Sequence, residues 1–184
     1  MWDLNGTVDH FLSRNHHRHL SYEWSNFRYV SHWLNSSKQA LDAQVLDPFD
    51  VQDEWFEIVL PSLVMRLTKC VPARVRPLAE FTLRRLQLDD GDRVYDQRKI
   101  YYDEVVETGH PIAWLERFAP MLATAVRRER VLSHLQINES VSLEDMAEIC
   151  EASPERARRL VRAWIRAEHL RSHGRGRATR YTMR

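Results

Sequence analysis

At 184 residues, 43% hydrophobic and 29% charged, the chain is long enough for one large domain or two to three small ones with real cores. No apolar run approaches the ~18 residues of a membrane span, and Met1-Trp2-Asp3 opens no signal-peptide pattern, so a cytoplasmic protein with no membrane partner is expected. Two cysteines, Cys70 and Cys150, lie far apart and outside any CxxC or Cys/His cluster, which predicts no structural zinc site and implies no disulfide in a reducing compartment. The net charge of +1 hides an asymmetry, because Pro154 to Arg184 carries ten arginines against Glu155 and Glu168, a local +8. A basic end on a nearly neutral chain points to an anionic partner there.

In chain order, the first informative stretch is Val8 to Lys38, VDHFLSRNHHRHLSYEWSNFRYVSHWLNSSK. Asp9 and His10 end a short β-prone run, and a polar, histidine-rich loop follows. Asn26 then opens a second apolar run, Phe27 to Val30, and Asn35 falls in the first turns of a helix ending near Leu41. Strand, loop, strand and helix are expected to bring Asp9, His10 and Asn35 together around one small cavity. Tyr22 and Trp24 are expected to pack the hairpin, and most of the six tryptophans to lie in the core. His16, His17 and His19 could bind metal, although such loops are more often solvated. Arg14 and Arg18 beside them could reach a phosphate backbone, and His32 is either a phosphate contact or a surface residue.

The order Asp9-His10, Asn26, Asn35 resembles the HNH nuclease family, whose ββα-metal motif reads Asp/Glu-His, then Asn, then His or Asn. From Asn26 to Lys38 the family pattern can be laid on without a gap, down to the closing lysine. The Trp24-x-Asn26 pair and the segment Leu46-Asp47-Pro48-Phe49 also have counterparts in the family. The resemblance implies a metal-dependent endonuclease acting on DNA. His10 would be the general base, since an imidazole titrates near working pH. Asp9 and Asn35 are hard oxygen donors suited to Mg²⁺, with Mn²⁺ possible. Asn26 would be structural, its amide tying the loop and holding the histidine. The resemblance further implies a bacterial defence or mobile-element effector, restrained by a partner protein such as an ATPase or by a homo-oligomer.

This chain departs from the pattern in two places. Many HNH proteins carry two CxxC pairs that bind a structural zinc, whereas Ser31 and Leu34 stand here where cysteine is expected. Asn35 occupies a position where histidine is commoner. Two alternatives therefore stand beside the nuclease. In one, Asp9, His10, Asn26 and Asn35 are ordinary turn and cap residues. In the other, the HNH-like fold has lost its chemistry and serves as a DNA-binding or regulatory interaction protein.

Further along, Asp47-Pro48-Phe49 reads as a turn. Phe56, Ile58 and Leu60 alternate with polar or neighbouring residues, as do Leu63, Met65 and Leu67, and Pro61-Ser62 falls between them. This argues a β-hairpin, with a helix over Asp53 to Leu60 as the competing assignment. From Ala73 the period becomes helical up to Asp89-Asp90-Gly91. A second helix runs from about Asp92 to Thr108 and stops at Gly109. A third starts at His110-Pro111, with Ile112, Leu115, Phe118 and Leu122 on one face and a kink or break at Pro120. The pairs Arg84-Arg85 and Arg127-Arg128 could touch nucleic acid but read better as solvated helix faces. This region is scaffold that could also mediate self-association.

The last stretch begins with a helix from Arg127 to Gln136. Ser142 to Asp145 is a capping box, and Ser153-Pro154 caps the next helix. There Ala157, Leu160, Val161, Trp164 and Ile165 form an apolar stripe opposite Arg156, Arg158, Arg159, Arg162 and Arg166. Leu170 to His173, Gly174 to Arg177 and Ala178 to Met183 read as strand, turn and strand. The whole resembles a winged helix-turn-helix domain. It would place Arg158, Arg159, Arg162 and Arg166 in a groove and Arg175 and Arg177 of the wing on the backbone, or else serve protein interaction. The expected fold class is α+β and mostly helical: an N-terminal ββα-metal motif at 1–47, a β-hairpin and helical middle region at 48–126, and a C-terminal winged helix at 127–184.

Overall fold

Three stretches of alternating apolar residues fold as antiparallel β-hairpins, and the stretches of longer period fold as helices. The computed structural model describes residues 6–184, among which there are seven α-helices and three two-stranded sheets, an α+β arrangement. The chain divides into two compact units: residues up to 53 with 72–89, and residues 54–71 with 90–184.

In the first unit, β1 (Gly6–His10) pairs with β2 (Phe27–Ser31), Gly6 opposite Ser31 and His10 opposite Phe27. Helix α1 (His32–Lys38) follows directly and packs against both strands. It is shorter than expected, because Gln39 turns to φ 51 and ends it at Lys38 rather than near Leu41. Asp47 closes the expected turn, its carbonyl accepting from Asp50 N at 3.0 Å and its Oδ1 from Phe49 N at 3.0 Å. In α2 (Arg76–Arg85), Thr82 Oγ1 accepts from Leu46 N at 2.9 Å, which fastens the helix to the buried Val45-Leu46 step.

One expectation fails in this unit. Tyr22 and Trp24 are 92% and 86% exposed, and Trp24 meets the hairpin only through an edge-on contact with Phe27. Among the described residues, helix α1 is the layer on one face of β1–β2, and aromatic residues on the other side have no described layer to enter. Among the described tryptophans only Trp55 and Trp164 are buried, fewer than expected.

In the second unit, β3 (Phe56–Val59) pairs with β4 (Val64–Leu67), which gives the hairpin in place of the competing helix. Helices α3 (Asp92–Val106), α4 (Ile112–Phe118) and α5 (Pro120–Ile137) pack Val105, Ile112, Leu115, Leu122 and Val126 with Ile58 and Leu63 of the hairpin. Gly109 takes a positive φ of 73 between α3 and α4. Pro120 breaks the helix and starts α5, where its missing N–H costs nothing. The break shifts the helical phase, so Phe118 is half exposed while Ile112, Leu115 and Leu122 are buried. Helix α5 is continuous from Pro120, where a new helix was expected at Arg127.

A second apolar cluster joins Val131 and Leu135 of α5 to Met146 of α6 (Leu143–Ile149), to Leu160, Val161 and Trp164 of α7 (Pro154–Arg166), and to Leu170. The capping box forms, with Ser142 Oγ accepting from Asp145 N and Asp145 Oδ2 accepting from Ser142 N. Ser153 Oγ accepts from Arg156 N, and Pro154 opens α7. β5 (Leu170–His173) and β6 (Arg180–Met183) form the last hairpin, and Tyr181 bridges to Val141.

Arg127 and Arg128 overturn their reading as solvated residues: both are buried, Arg127 at 1% exposure. Arg127 donates to Cys150 O at 2.8 Å and to Glu116 Oε2 at 2.9 Å. Arg128 donates to Ile58 O at 2.8 Å and pairs with Glu57, which also meets His169 Nε2 at 2.7 Å. Burial pushes the Glu57 carboxyl up, but the His169 hydrogen bond and Arg128 outweigh it and bring it from 4.5 down to about 2. With the folded value below the unfolded one, this stabilisation is complete above pH 4.5 and is lost as pH falls towards 2. The shift corresponds to roughly 3 kcal/mol. Glu57→Gln is therefore expected to destabilise the chain strongly at pH 7 and much less at pH 3, measured by urea unfolding at both. An equal loss at the two pH values would refute the linkage.

Candidate functional site

Side chains of a β-strand alternate between faces, and that alternation divides the four motif residues. Thr7 and Asp9 face α1: Asn35 Nδ2 donates to Thr7 Oγ1 at 3.1 Å, and Lys38 Nζ lies 3.0 Å from Asp9 Oδ2. His10 faces the other way. Its ring meets Phe27 edge-on at 5.0 Å between centroids, and its Nε2 lies 3.0 Å from Ser21 O. The expectation that Asp9, His10 and Asn35 line one cavity is corrected accordingly: the carboxylate and the amide share a side, and the imidazole stands on the opposite side at the end of β1.

Asn26 is buried and joins the two ends of the intervening loop. Its Oδ1 accepts from Leu12 N at 2.8 Å, and its Nδ2 donates to Leu12 O at 3.0 Å and Leu20 O at 3.3 Å. The loop thus leaves β1 and returns next to Ser21, whose carbonyl orients His10. Since a carbonyl only accepts, Nε2 carries the hydrogen and the lone pair of the neutral ring sits on Nδ1. The loop is also held from outside the motif. Asp42 Oδ1 accepts from Ser13 N at 2.6 Å, and its Oδ2 lies 3.0 Å from His16 Nδ1 and 3.8 Å from His17 Nε2. Burial raises the Asp42 carboxyl, but the hydrogen bonds from His16 and Ser13 hold it below the ordinary carboxylate value.

Asp9 and Asn35 are donors of the hard-oxygen type that a divalent ion takes. Asp9 offers a carboxylate, and Asn35, with Nδ2 turned to Thr7, offers its amide oxygen; two protein ligands leave room for the waters that Mg²⁺ retains. Among the described residues no group of three or more His, Cys, Asp or Glu is placed to hold a metal. Lys38 already neutralises Asp9, both side chains being almost fully buried, and it also donates to His10 O at 3.2 Å. An ion would share Asp9 with this ammonium.

Sequence reasoning missed the groups that support the site. Arg28, opposite Asp9 across the hairpin, is buried, bonds to Asp47 and donates to Ser25 O at 2.7 Å and Phe27 O at 2.8 Å. The Phe49 ring covers its guanidinium at 3.9 Å. The Asp47-Pro48-Phe49 turn is therefore a clamp on Arg28. The available signal was a charged residue at an inward position of an apolar strand.

Arg14 and Arg18 are exposed on the loop. In the second unit Arg158, Arg159 and Arg162 project from α7 and Arg175 from the β5–β6 turn, all exposed. Arg166 pairs with Glu54. The Arg177 side chain lies outside the described residues. Arg171 is a further exposed arginine that was not singled out.

Compared with protein-family models, curated proteins and solved structures, the chain gave no match. No helix among the described residues is long and apolar enough to cross a membrane.

The Asp9–Lys38 pair gives a direct test. Lys38→Met leaves a buried carboxylate without its cation and is expected to cost about 3–5 kcal/mol in denaturant unfolding. Adding Asp9→Leu should recover most of that loss, and additive losses would refute the coupling.

Proposed function

We propose that the chain is a metal-dependent endonuclease of HNH type whose basic C-terminal unit holds DNA. The observation that carries this reading is the Asn26 carboxamide bonded to both ends of the loop, which leaves His10 oriented on Ser21 O with Nδ1 bearing a lone pair. A base held in that way takes a proton from an attacking water, an effect worth roughly 10²–10⁴ in rate. Asp9 is the adjacent residue, its Cα about 3.8 Å away. A phosphodiester laid across the end of β1 would therefore meet the imidazole, with the Asp9 carboxylate one residue back on the face that α1 covers. Asp9 and Asn35 would hold Mg²⁺ or Mn²⁺, which when bound supplies positive charge to the phosphate and the departing oxygen. Such an activity harms its host when unrestrained, so a partner protein or a homo-oligomer is part of the proposal.

In the second unit we read α6, the turn at Glu151-Ala152, α7 and the β5–β6 hairpin as a winged helix. The exposed Arg158, Arg159 and Arg162 of α7 and Arg175 of the hairpin support DNA as its partner. Arginines without adenine-reading Asn or Gln beside them predict backbone-dominated binding with modest sequence preference. Replacing Arg158, Arg159 and Arg162 together by alanine is expected to flatten the dependence of log K on log salt by about 2–3, given about 0.9 per phosphate contact. An unchanged slope in duplex-binding titrations would exclude this face.

A second reading, a DNA-binding protein that has lost the chemistry, is favoured by the Lys38 ammonium seated on Asp9. Supercoiled plasmid with Mg²⁺ or Mn²⁺ separates the two. Nicking or linearisation by the wild type, abolished in His10→Ala, supports the nuclease. Salt-sensitive retardation without cleavage, unchanged in His10→Ala, supports the binding protein.

A further inference from the structure

The face of β1–β2 opposite α1 carries an aromatic strip with no layer of the described residues over it. Trp24 touches Phe27 edge-on at 5.7 Å between centroids, and Phe27 touches His10 at 5.0 Å. Two residues along each strand, on the same face, Val8 pairs with Tyr29, and they are 60% and 77% exposed. Gly6 completes the strip: a Cβ there would lie 2.0 Å from Tyr29 Cζ, so the phenol ring lies flat along the backbone only because residue 6 is glycine. Trp24, Phe27 and His10 thus stand in ring-to-ring series, and Tyr29 lies further along the same face, beyond Val8 and against Gly6.

Soluble chains do not leave large aromatic rings in water without consequence, and three properties identify the occupant. The rings share one face of the hairpin, Trp24 at its loop end and Tyr29 further along β2, as successive stacking partners would. The neighbouring loop presents Arg14 and Arg18, both exposed and with no acidic partner among the described residues. The strip also contains the proposed base. Duplex DNA keeps its base faces stacked inside, so rings of this kind can be met only by bases that are unpaired or turned out of the helix.

We propose that this strip is a stacking platform for unpaired bases. On this view the substrate of the site is a single strand, or a duplex opened at the position to be cut. This rests on the reading of His10 as the nuclease base, and it adds the substrate class. Trp24 would take a base beside His10 and Tyr29 another further along the face, with Arg14 and Arg18 on adjoining phosphates, bringing a phosphodiester next to the Trp24 base to His10.

The test uses the full chain in EDTA with no added divalent metal, so that binding is read without cleavage. Fluorescence anisotropy would compare a labelled oligothymidine with a duplex of equal length, and a single strand carrying 5-iodouracil would be photocrosslinked and mapped by peptide mass spectrometry. Trp24→Ala and Tyr29→Ala are each expected to weaken single-strand binding about tenfold and leave duplex binding unchanged, with Trp24→Phe recovering most of the loss. Crosslinks are expected at Trp24 or Tyr29. Unchanged affinity, equal loss for single strand and duplex, or crosslinks confined to the α7 arginines would overturn the platform. Loss of self-association in the variants, with single-strand affinity intact, would overturn it in favour of a second copy of this chain. Whether the wild type nicks plasmid is a separate result, so failure of the platform and failure of the nuclease reading remain distinguishable.

Discussion

A charge taken out of water has to be met by an opposite charge or by hydrogen bonds, and much of this molecule is arranged around such meetings. Asp9 with Lys38 and Arg28 with Asp47 fix the hairpin, its helix and the following turn in the first unit. Arg127 with Glu116, and Glu57 with Arg128 and His169, do the same for the second unit, where Glu57 joins a β-hairpin to α5 and to the turn between α7 and β5. These pairs add little net stability over an apolar core of equal volume. Their effect is specificity, because an alternative packing that separates them leaves a bare charge behind.

That constraint also marks where the sequence was legible. Features decided within a few residues could be read directly: the Ser142–Asp145 capping box, Ser153-Pro154 at the start of α7, Pro120 as a break, the Asp47 turn and the paired alternation of β3 and β4. Features decided by distant partners could not. Arg127 and Arg128 read as solvated because their partners, Cys150 and Glu57, are far along the chain. Trp24 and Tyr22 read as packed because hydrophobicity carries no information about which face of a hairpin receives a helix.

The candidate site shows the same division. Alternation and spacing located the strand-loop-strand-helix order, and the bridging role of Asn26 was implied by the family resemblance. It could not show that adjacent residues of a strand point apart, which places Asp9 with α1 and His10 with the aromatic strip. Nor could it show Asp42 reaching back to the histidine loop, or Lys38 on Asp9. The motif residues are the visible part of a charge arrangement whose other members lie up to the Asp47 turn.

Helix α5 has a consequence of a different kind. Its first half belongs to the cluster around Leu115 and Leu122, and its second half carries Val131 and Leu135 of the cluster around Trp164. No break separates the two, so one rod is common to both cores. Melting either core would strip one side of the same helix and weaken the other, which makes the second unit a single cooperative block. The amide hydrogens at the middle of α5, near Arg127 and Arg128, would then exchange with solvent only through global opening, more slowly than those at either end.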